Sequence, residues 1–226
     1  YRENIQVCQK EIGDDAPQFD KLRVFYNHPG FVGPVSANVA EALAEFPEDR
    51  REKAALIFTA HSIPMSMATG SLYESQLKEA CRLVGDELGR DDWSLVYQSR
   101  SGPPQQPWLE PDILDHIRDL HQQGITEMVI MPIGFVSDHM EVLFDLDTEA
   151  IELCRELGIN MRRAKTVGTA APFVSMIRQL IEERALGNEK LALGPHGPCH
   201  DVCPEKCCPS GRPAAGGRPP ASRPAP

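Results

Sequence analysis

Three carboxylates recur at a spacing of four residues in the second half of the chain. Glu141, Asp145 and Glu149 follow an apolar run that ends at Gly134, and the sequence that contains them is typical of a helix. Residues four apart lie on one face of an α-helix, with a drift of about 40° per step. A row of carboxylates of this kind suits the binding of a hard cation or the transfer of protons.

His61 follows a second apolar run, residues 54–60, which is typical of a strand buried on both faces. The carboxyl ends of parallel strands meet at one edge of a sheet, where open α/β folds bind their ligands. We therefore expect His61 and the start of the acidic helix to approach each other. A histidine facing carboxylates suits proton abstraction, metal binding or both.

Each of these residues also has a purely structural interpretation. Asp138 and Glu141 fit a capping box, in which Asp138 caps the helix and Glu141 reaches back to its amide. Asp145 and Glu149 fit a solvated helix face. His61 fits a loop histidine bonded to a neighbouring backbone group.

The elements that must position these residues alternate between strand and helix. Apolar runs and helical periodicity predict an α/β fold, with a parallel sheet flanked by helices on both faces. The predicted strands are 22–26, 54–60, 94–98, 127–133 and 159–165, and the predicted helices are 32–46, 71–88, 111–123, 138–157 and 173–185.

A loop rich in Gly, Pro and Gln follows the predicted strand 94–98 at the same edge of the sheet. It runs from Ser99 to Pro107 and ends at Trp108. A proline-stiffened loop that ends in a tryptophan suits the wall of a site for a flat aromatic ligand. The alternative is a structural loop with Trp108 in the core.

Composition excludes some classes of protein. The chain has 226 residues and a net charge of −10, which argues against nucleic acid as the main partner. None of its apolar runs approaches the roughly 20 residues that span a bilayer. Cys8, Cys81 and Cys154 are scattered, as reduced cysteines of cytoplasmic proteins are, and we expect a cytoplasmic protein.

Four further cysteines, Cys199, Cys203, Cys207 and Cys208, lie within ten residues near the end of the chain. Thiolates at this density are typical of zinc or iron–sulfur sites, although the spacing is not that of a zinc ribbon. Adjacent Cys207 and Cys208 would be strained as ligands to one metal. Residues 211–226 lack acids, aromatics and large aliphatics, and they predict a disordered tail.

Three blocks of sequence, in this order, resemble ferrochelatase, the enzyme that inserts ferrous iron into a porphyrin. They are residues 58–64 (FTAHSIP), 97–104 (YQSRSGPP) with 107–111 (PWLEP), and 134–141 (GFVSDHME) with 145–147 (DLD). The resemblance covers about residues 1–185. The sequence of these blocks is most similar to that of actinobacterial coproporphyrin III ferrochelatases that carry a C-terminal [2Fe–2S] cluster.

The resemblance implies a chelatase-like three-layer αβα fold and assigns roles to residues. His61 and Glu141 would be catalytic, and with Asp145 and Glu149 they would contact or conduct the metal. The implied substrates are Fe²⁺ and a porphyrin, with coproporphyrin III favoured over protoporphyrin IX. The implied porphyrin cleft contains Gln98, Ser99, Arg100, Trp108, Ser137 and His139, and the implied [2Fe–2S] ligands come from Cys199, Cys203, Cys207 and Cys208.

Members of the resembled family are longer, and their N-terminal half forms the other wall of the cleft. We therefore expect residues 1–20 to be the end of that half, 21–186 a chelatase-like domain, 187–210 a cluster segment and 211–226 a tail. A fourth cluster ligand is expected upstream of Tyr1. A monomer is expected, with enzymes of the haem pathway as candidate partners.

Two rival functions remain open. One is a chelatase for another tetrapyrrole and metal, such as cobalt, whose enzymes tend to have a second histidine where Glu141 stands. The other is a non-catalytic iron–sulfur or metal-sensing protein that retains an inactive cleft.

Overall fold

A parallel sheet positions the carboxyl-edge residues of the chain. The computed structural model describes residues 2–204 and 207. Within them the strand order is β2–β1–β3–β4, and every neighbouring pair is parallel. The strands are β1 (Ala55–His61), β2 (Trp93–Gln98), β3 (Glu127–Met131) and β4 (Asn160–Arg163). This confirms the predicted parallel α/β fold.

Helices connect the strands and cover both faces of the sheet. In the described part of the chain they are α1 (Arg2–Ile12), α2 (Pro29–Ala44), α3 (Glu48–Arg51), α4 (Met65–Ala68), α5 (Tyr73–Leu88), α6 (Ile113–Gln122), α7 (Met140–Phe144), α8 (Ile151–Leu157) and α9 (Ala171–Leu186), with a short 3₁₀ turn at Gly13–Asp15.

Two hydrophobic clusters lie on opposite faces of the sheet. Successive side chains of a strand point to opposite faces, so Phe58 of β1 packs in the cluster with α2, α5 and α9. Its neighbour Ile57 packs in the cluster with α6, α7 and α8. Met131 and Ile130 of β3 divide in the same way. The layers are therefore helix, sheet and helix.

The predicted strand at 22–26 is wrong. In the structure this segment belongs to none of the strands of the described residues. Its alternating burial comes from side-chain contacts: Arg23 forms a buried ion pair with Glu183 of α9, and the ring of Phe25 contacts those of Phe31 and Phe173. A short apolar alternation does not distinguish a sheet strand from a segment held by helices.

The predicted helix 138–157 is three consecutive segments. Helix α7 leads into a π-helical stretch, Asp145–Ala150, here called the π turn, and α8 follows it. Gly158 adopts a left-handed φ of 72° and ends the helix, as its position in the sequence predicted.

Residues after α9 return across the body of the protein. Arg23 donates to the carbonyl of Leu191, and the amide of Asn27 donates to the carbonyl of Gly197 at 2.8 Å. Both Arg23 and Asn27 are buried, so this return is anchored in the core. Cys208 and the predicted tail 211–226 lie outside the described residues. Among the helices of residues 2–204, none has the length and apolar character to cross a membrane.

Candidate active site

His61 ends strand β1, and Glu141 lies in the first turn of α7. His61 Nε2 is 3.9 Å from Glu141 Oε2, and the two side chains are 34% and 57% exposed. His61 Nδ1 lies 2.5 Å from the carbonyl oxygen of Ser62. A carbonyl can only accept a hydrogen bond, so Nδ1 carries the proton of the neutral ring. The basic nitrogen is therefore Nε2, which faces Glu141.

Gly134 allows the chain to cross β1 on its way from β3 to α7. Its amide donates to the carbonyl of Thr59 at 3.0 Å. A Cβ at Gly134 would lie 2.7 Å from Ala60 Cβ and 2.8 Å from Ala60 Cα. Such distances are too short for a side chain, so the glycine is what brings this loop, and Glu141 beyond it, over the end of β1 beside His61.

The capping-box interpretation of Asp138 and Glu141 is wrong. Helix α7 begins at Met140 with His139 as its N-cap, and His139 provides no side-chain cap. The Asp138 carboxylate instead accepts two hydrogen bonds from Arg163, which ends β4. Glu141 is thus left available to face His61.

Asp145 is bonded to the loop that follows β2. Its Oδ2 accepts a hydrogen bond from Gln98 Nε2 at 3.0 Å and another from the hydroxyl of Ser99. Ser99 has a left-handed φ of 60°, rare for a residue with a side chain. Two predicted cleft residues and one residue of the acidic stripe therefore form one bonded unit.

Glu149 lies within the π turn and is exposed. A π turn closes with i→i+5 bonds and rotates less per residue than an α-helix. It therefore opposes the drift of about 40° per four residues that an α-helix gives, so the offset of Glu149 from Asp145 around the helix axis is smaller than in a regular α-helix.

The other predicted cleft residues divide into two groups. Arg100 is turned into its own loop, where its guanidinium donates to the carbonyls of Pro104 and Gln106. Trp108 packs against Gly102, where an added Cβ would lie 2.4 Å from Trp108 Nε1. Arg100 and Trp108 therefore shape the loop 98–108 from within.

Ser137 and His139 are exposed between β3 and α7. The His139 ring contacts that of Phe135 edge-on, with centroids 5.1 Å apart. Large apolar side chains are exposed on the same segment, namely Val136, Met140, Leu143 and Phe144. The acidic stripe is therefore flanked by apolar surface, which suits a flat ligand with an apolar body and a polar centre. Sequence reasoning missed these apolar residues, because exposure is not visible in a pattern.

Tyr73, at the start of α5, is a second residue that sequence reasoning missed. Its hydroxyl donates to the carbonyl oxygen of His61 at 3.0 Å. Burial raises the pKa of Tyr73 to about 12, so the phenol remains a donor across the physiological range. This hydrogen bond fixes the backbone of His61. A single tyrosine at the start of a helix does not indicate such a role in the sequence.

Arg163 is a third such residue. Besides Asp138, its guanidinium binds Asp147 of the π turn, with Nε 2.5 Å from Asp147 Oδ1. The end of β4 is therefore joined to both sides of α7. The arrangement is one base, His61 Nε2, beside the Glu141 carboxylate, whose helix α7 is joined to β4 through Arg163.

The cysteine-rich segment brings two of the predicted cluster ligands, Cys203 and Cys207, close to His200. His200, Cys203 and Cys207 each offer a ligand atom, and these atoms all lie within 4.8 Å of one another. Cys199 is instead bonded to Gln76 and Tyr26, and Cys208 lies outside the described residues. The prediction of a [2Fe–2S] cluster on these cysteines stays a prediction, because Cys208 and the upstream ligand lie outside the described residues.

The chain is similar in sequence to known proteins of one family. The family profile for ferrochelatase matches residues 1–185. A ferrochelatase of Rhodopirellula baltica is 56% identical over 97% of this chain and 64% of that protein. A coproporphyrin III ferrochelatase of Streptomyces griseus is 45% identical over 96% of this chain and 64% of that protein. The chain thus spans 64% of the length of both relatives.

A solved multi-domain protein of Deinococcus radiodurans, described as structurally similar to chelatases, aligns with a TM-score of 0.48 and 14% identity. The alignment covers 73% of this chain and 31% of that protein. From the profile match over residues 1–185 and the identity to both relatives, we conclude that the chain belongs to the ferrochelatase family.

Proposed function

We propose that the full protein containing this chain inserts Fe²⁺ into a porphyrin in haem biosynthesis, and that coproporphyrin III is preferred to protoporphyrin IX. The observation that carries the proposal is the approach of His61 Nε2 to Glu141 Oε2 at the carboxyl edge of the sheet. The preference for coproporphyrin III is supported by the name of the Streptomyces griseus relative.

Metal insertion replaces two pyrrole protons by Fe²⁺, so two protons must leave the macrocycle for each iron that enters. His61 Nε2 accepts one of them, because the hydrogen bond of Nδ1 to Ser62 leaves Nε2 as the basic nitrogen. The resulting imidazolium is paired with the Glu141 carboxylate, which stabilises the charged form of the histidine. Glu141 takes part in the same proton transfer and contacts the incoming metal together with His61.

Asp145 and Glu149 continue from Glu141 along the π turn toward solvent. In this proposal they conduct protons or the hydrated metal between the reacting centre and the surface. The bonds from Gln98 and Ser99 hold Asp145 in line. Carboxylates are hard oxygen ligands, and such ligands exchange with the water shell of a hydrated cation.

The porphyrin would lie against the apolar side chains of the 135–144 segment and the loop 98–108. Ser137 and His139 would contact its polar edge, and Gln98 and Ser99 would face it beside Asp145. Arg100 and Trp108 would act by shaping the loop. The apolar exposure of Met140 and Phe144 supports this placement.

Two other functions are alternatives to iron insertion into a porphyrin. A cobalt or other tetrapyrrole chelatase would use the same edge of the sheet, and Glu141, rather than a second histidine, favours iron. A non-catalytic iron–sulfur or metal-sensing protein would retain the fold without the chemistry, and the ordered pair of His61 and Glu141 favours catalysis.

A cytoplasmic location is also proposed. Cys81 and Cys154 support it, since both are buried and neither forms a disulfide. Unbridged cysteines are the usual state in a reducing compartment.

The test is anaerobic metal insertion by the full-length protein, with Fe²⁺ and Co²⁺ compared on coproporphyrin III and protoporphyrin IX. We expect His61→Ala and Glu141→Gln each to lower kcat by about 100-fold or more, as loss of a general base does. His121→Ala and Glu152→Gln, at exposed positions elsewhere, are matched controls and should retain normal rates. Near-normal turnover by both active-site variants would exclude these roles, and preferred insertion of Co²⁺ would favour the rival chelatase.

A further inference from the structure

Ser62, the residue after His61, is bonded to both ends of the loop 98–108. Its amide donates to the carbonyl of Gln98 at 2.8 Å, and its hydroxyl donates to the carbonyl of Leu109 at 2.8 Å. Gln98 begins the loop, and Leu109 directly follows it. Ser62 is only 2% exposed, so both bonds are shielded from water. One buried serine therefore closes the base of the loop that flanks the candidate active site.

The carbonyl of Ser62 makes a third contact, with the ring of His61. His61 Nδ1 lies 2.5 Å from this oxygen. In a neutral imidazole one nitrogen carries the proton, and the hydrogen bonds of the ring decide which one. The direction of the Ser62 carbonyl therefore decides whether Nε2, the nitrogen that faces Glu141, is free to accept a proton.

We infer that Ser62 is a positioning residue for His61. By bonding both ends of the loop 98–108 it fixes the direction of its own carbonyl, and through that carbonyl it fixes the tautomer of His61 with the proton on Nδ1. The same serine thus joins the loop proposed to flank the porphyrin to the base proposed to accept a pyrrole proton.

The hydroxyl is the part of this arrangement that a substitution can remove alone. The bond from the Ser62 amide to Gln98 is backbone and stays in every variant. The end of the loop also keeps a backbone bond, because the amide of Leu109 donates to the carbonyl of Ile63 at 3.0 Å. Loss of the hydroxyl leaves the Leu109 carbonyl without this donor and allows the peptide after Ser62 to turn. The loop then keeps its place, whereas the tautomer of His61 is no longer fixed.

Nitrogen NMR of the full-length protein, labelled with ¹⁵N-histidine and free of substrate, tests the inference without turnover. The signals of His61 are those that disappear in His61→Ala. A ring nitrogen that carries a proton has a ¹⁵N shift well separated from that of a bare one, and at about pH 8.5 ordinary imidazoles are neutral. We expect the proton of His61 to lie on Nδ1 in the unchanged protein and to be shared between Nδ1 and Nε2 in Ser62→Ala.

Further variants keep the test decisive if Ser62→Ala does not fold. Ser62→Cys retains the size of the side chain but is a weak donor, and it should share the proton in the same way. Ser62→Thr retains the hydroxyl, and a cavity of about 230 Å³ borders Ser62 and provides space for the methyl group, so the Nδ1 tautomer should persist. Ser36→Ala is the matched control, because the Ser36 hydroxyl is similarly buried but bonds the carbonyl of Val32 within α2.

The effect on catalysis rests on the proposed function and is measured separately. Ser62→Ala and Ser62→Cys should lower kcat about 10-fold and leave KM for the porphyrin within about twofold, because His61 is disturbed while the loop keeps its backbone bonds. Ser62→Thr and Ser36→Ala should retain both constants.

Three outcomes would overturn the inference. They are a proton on Nε2 of His61 in the unchanged protein, a tautomer that Ser62→Ala and Ser62→Cys leave unaltered, and equal kcat in Ser62→Ala and Ser36→Ala of an active protein. A full-length protein that inserts no metal would contradict the proposed function instead, and the tautomers would still decide the role of Ser62.

Discussion

Arg163 donates to both carboxylate oxygens of Asp138, at 3.1 Å and 3.3 Å. This contact joins the last residue of β4 to the segment that enters α7, three residues before Glu141. The guanidinium is mostly buried and also binds Asp147 on the far side of α7. A planar fork is suited to two carboxylates at once. The position of Glu141 relative to His61 is therefore set in part by a residue that contacts neither.

Replacing Arg163 with Lys tests this positioning role. A lysine keeps the charge but cannot hold Asp138 and Asp147 together. We expect kcat for metal insertion to fall by about 10- to 100-fold, the range that misplacement of a catalytic group by about 1 Å can cost. The pH profile of kcat should also shift, because the distance between His61 and Glu141 would change.

The matched control is Arg162→Lys. Arg162 is adjacent in sequence, but it points to Glu45 and lies over the ring of Phe46. Its replacement should leave kcat and the pH profile unaltered. Equal effects of the two substitutions would mean that Arg163 acts only through stability.

Gly134→Ala should separate the two catalytic side chains. The added methyl group would meet Ala60, part of it backbone, at less than 3 Å, so the loop before α7 must move. We expect a loss of about 1–3 kcal/mol in the free energy of unfolding, together with a lower kcat. Urea unfolding and the insertion assay measure the two effects.

Gly33→Ala serves as the control for that substitution. Gly33 lies inside α2, and a Cβ there would meet only Glu87 Oε1 at 4.0 Å, an ordinary contact, so alanine there should stabilise the protein by up to about 1 kcal/mol. A Gly134→Ala protein as active and stable as the unchanged one would show that the loop tolerates a side chain over β1.

Tyr73→Phe should change how stability depends on pH. Burial raises the pKa of Tyr73 to about 12 in the folded state, whereas an unfolded tyrosine has a pKa of about 10. Between these values the unfolded chain releases a proton that the folded protein retains, so stability falls as pH rises. Urea unfolding between pH 9 and 11 should show a shallower decline in the variant.

At neutral pH the same variant should lose about 0.5–1.5 kcal/mol, the usual worth of one hydrogen bond. It should also bind substrate normally but turn over more slowly, because the carbonyl of His61 is no longer fixed. An identical alkaline decline in both proteins would contradict the assignment of this titration to Tyr73.

The buried ion pair of Arg23 and Glu183 predicts a non-additive pair of substitutions. Burial raises the pKa of Glu183, but the hydrogen bonds and charge of Arg23 outweigh it and leave that pKa below its ordinary value. Arg23→Met leaves an unpaired buried carboxylate and should cost about 3–5 kcal/mol. Adding Glu183→Leu should recover most of that loss.

This pair also has a pH signature. Because the folded pKa of Glu183 is depressed, its contribution is present above pH 5 and is lost as pH falls through the folded pKa. Unfolding of the unchanged protein and the double variant at pH 7 and pH 4 measures the difference. Equal pH dependence in both would remove Glu183 from the acid transition.

Much of the fold could be predicted from the sequence. Apolar residues recur with period 2 in a half-buried strand and with period 3.6 in an amphipathic helix, because these are the residues that face the core. The approach of His61 to Glu141 could also be predicted, since all parallel strands end at one edge. The prediction of a strand at 22–26 was wrong because Arg23 and Phe25 pack against helices rather than within a sheet. Arg163 and Tyr73 gave no signal in the sequence, because each acts through a partner more than 10 residues away.

The π turn has a consequence for how this helix tolerates insertions and deletions. It is equivalent to one extra residue in an otherwise α-helical stretch, and Leu146 and Ala150 are buried within it. Because a π turn rotates less per residue than an α-helix, its six residues turn the chain about as far as five α-helical residues would. The orientation of α8 relative to α7 is therefore the same with or without the extra residue, so Cys154 stays in the core and Glu141 stays beside His61. A one-residue deletion in this turn changes the turn that contains Asp145 and Glu149 and leaves the two helices it joins in place.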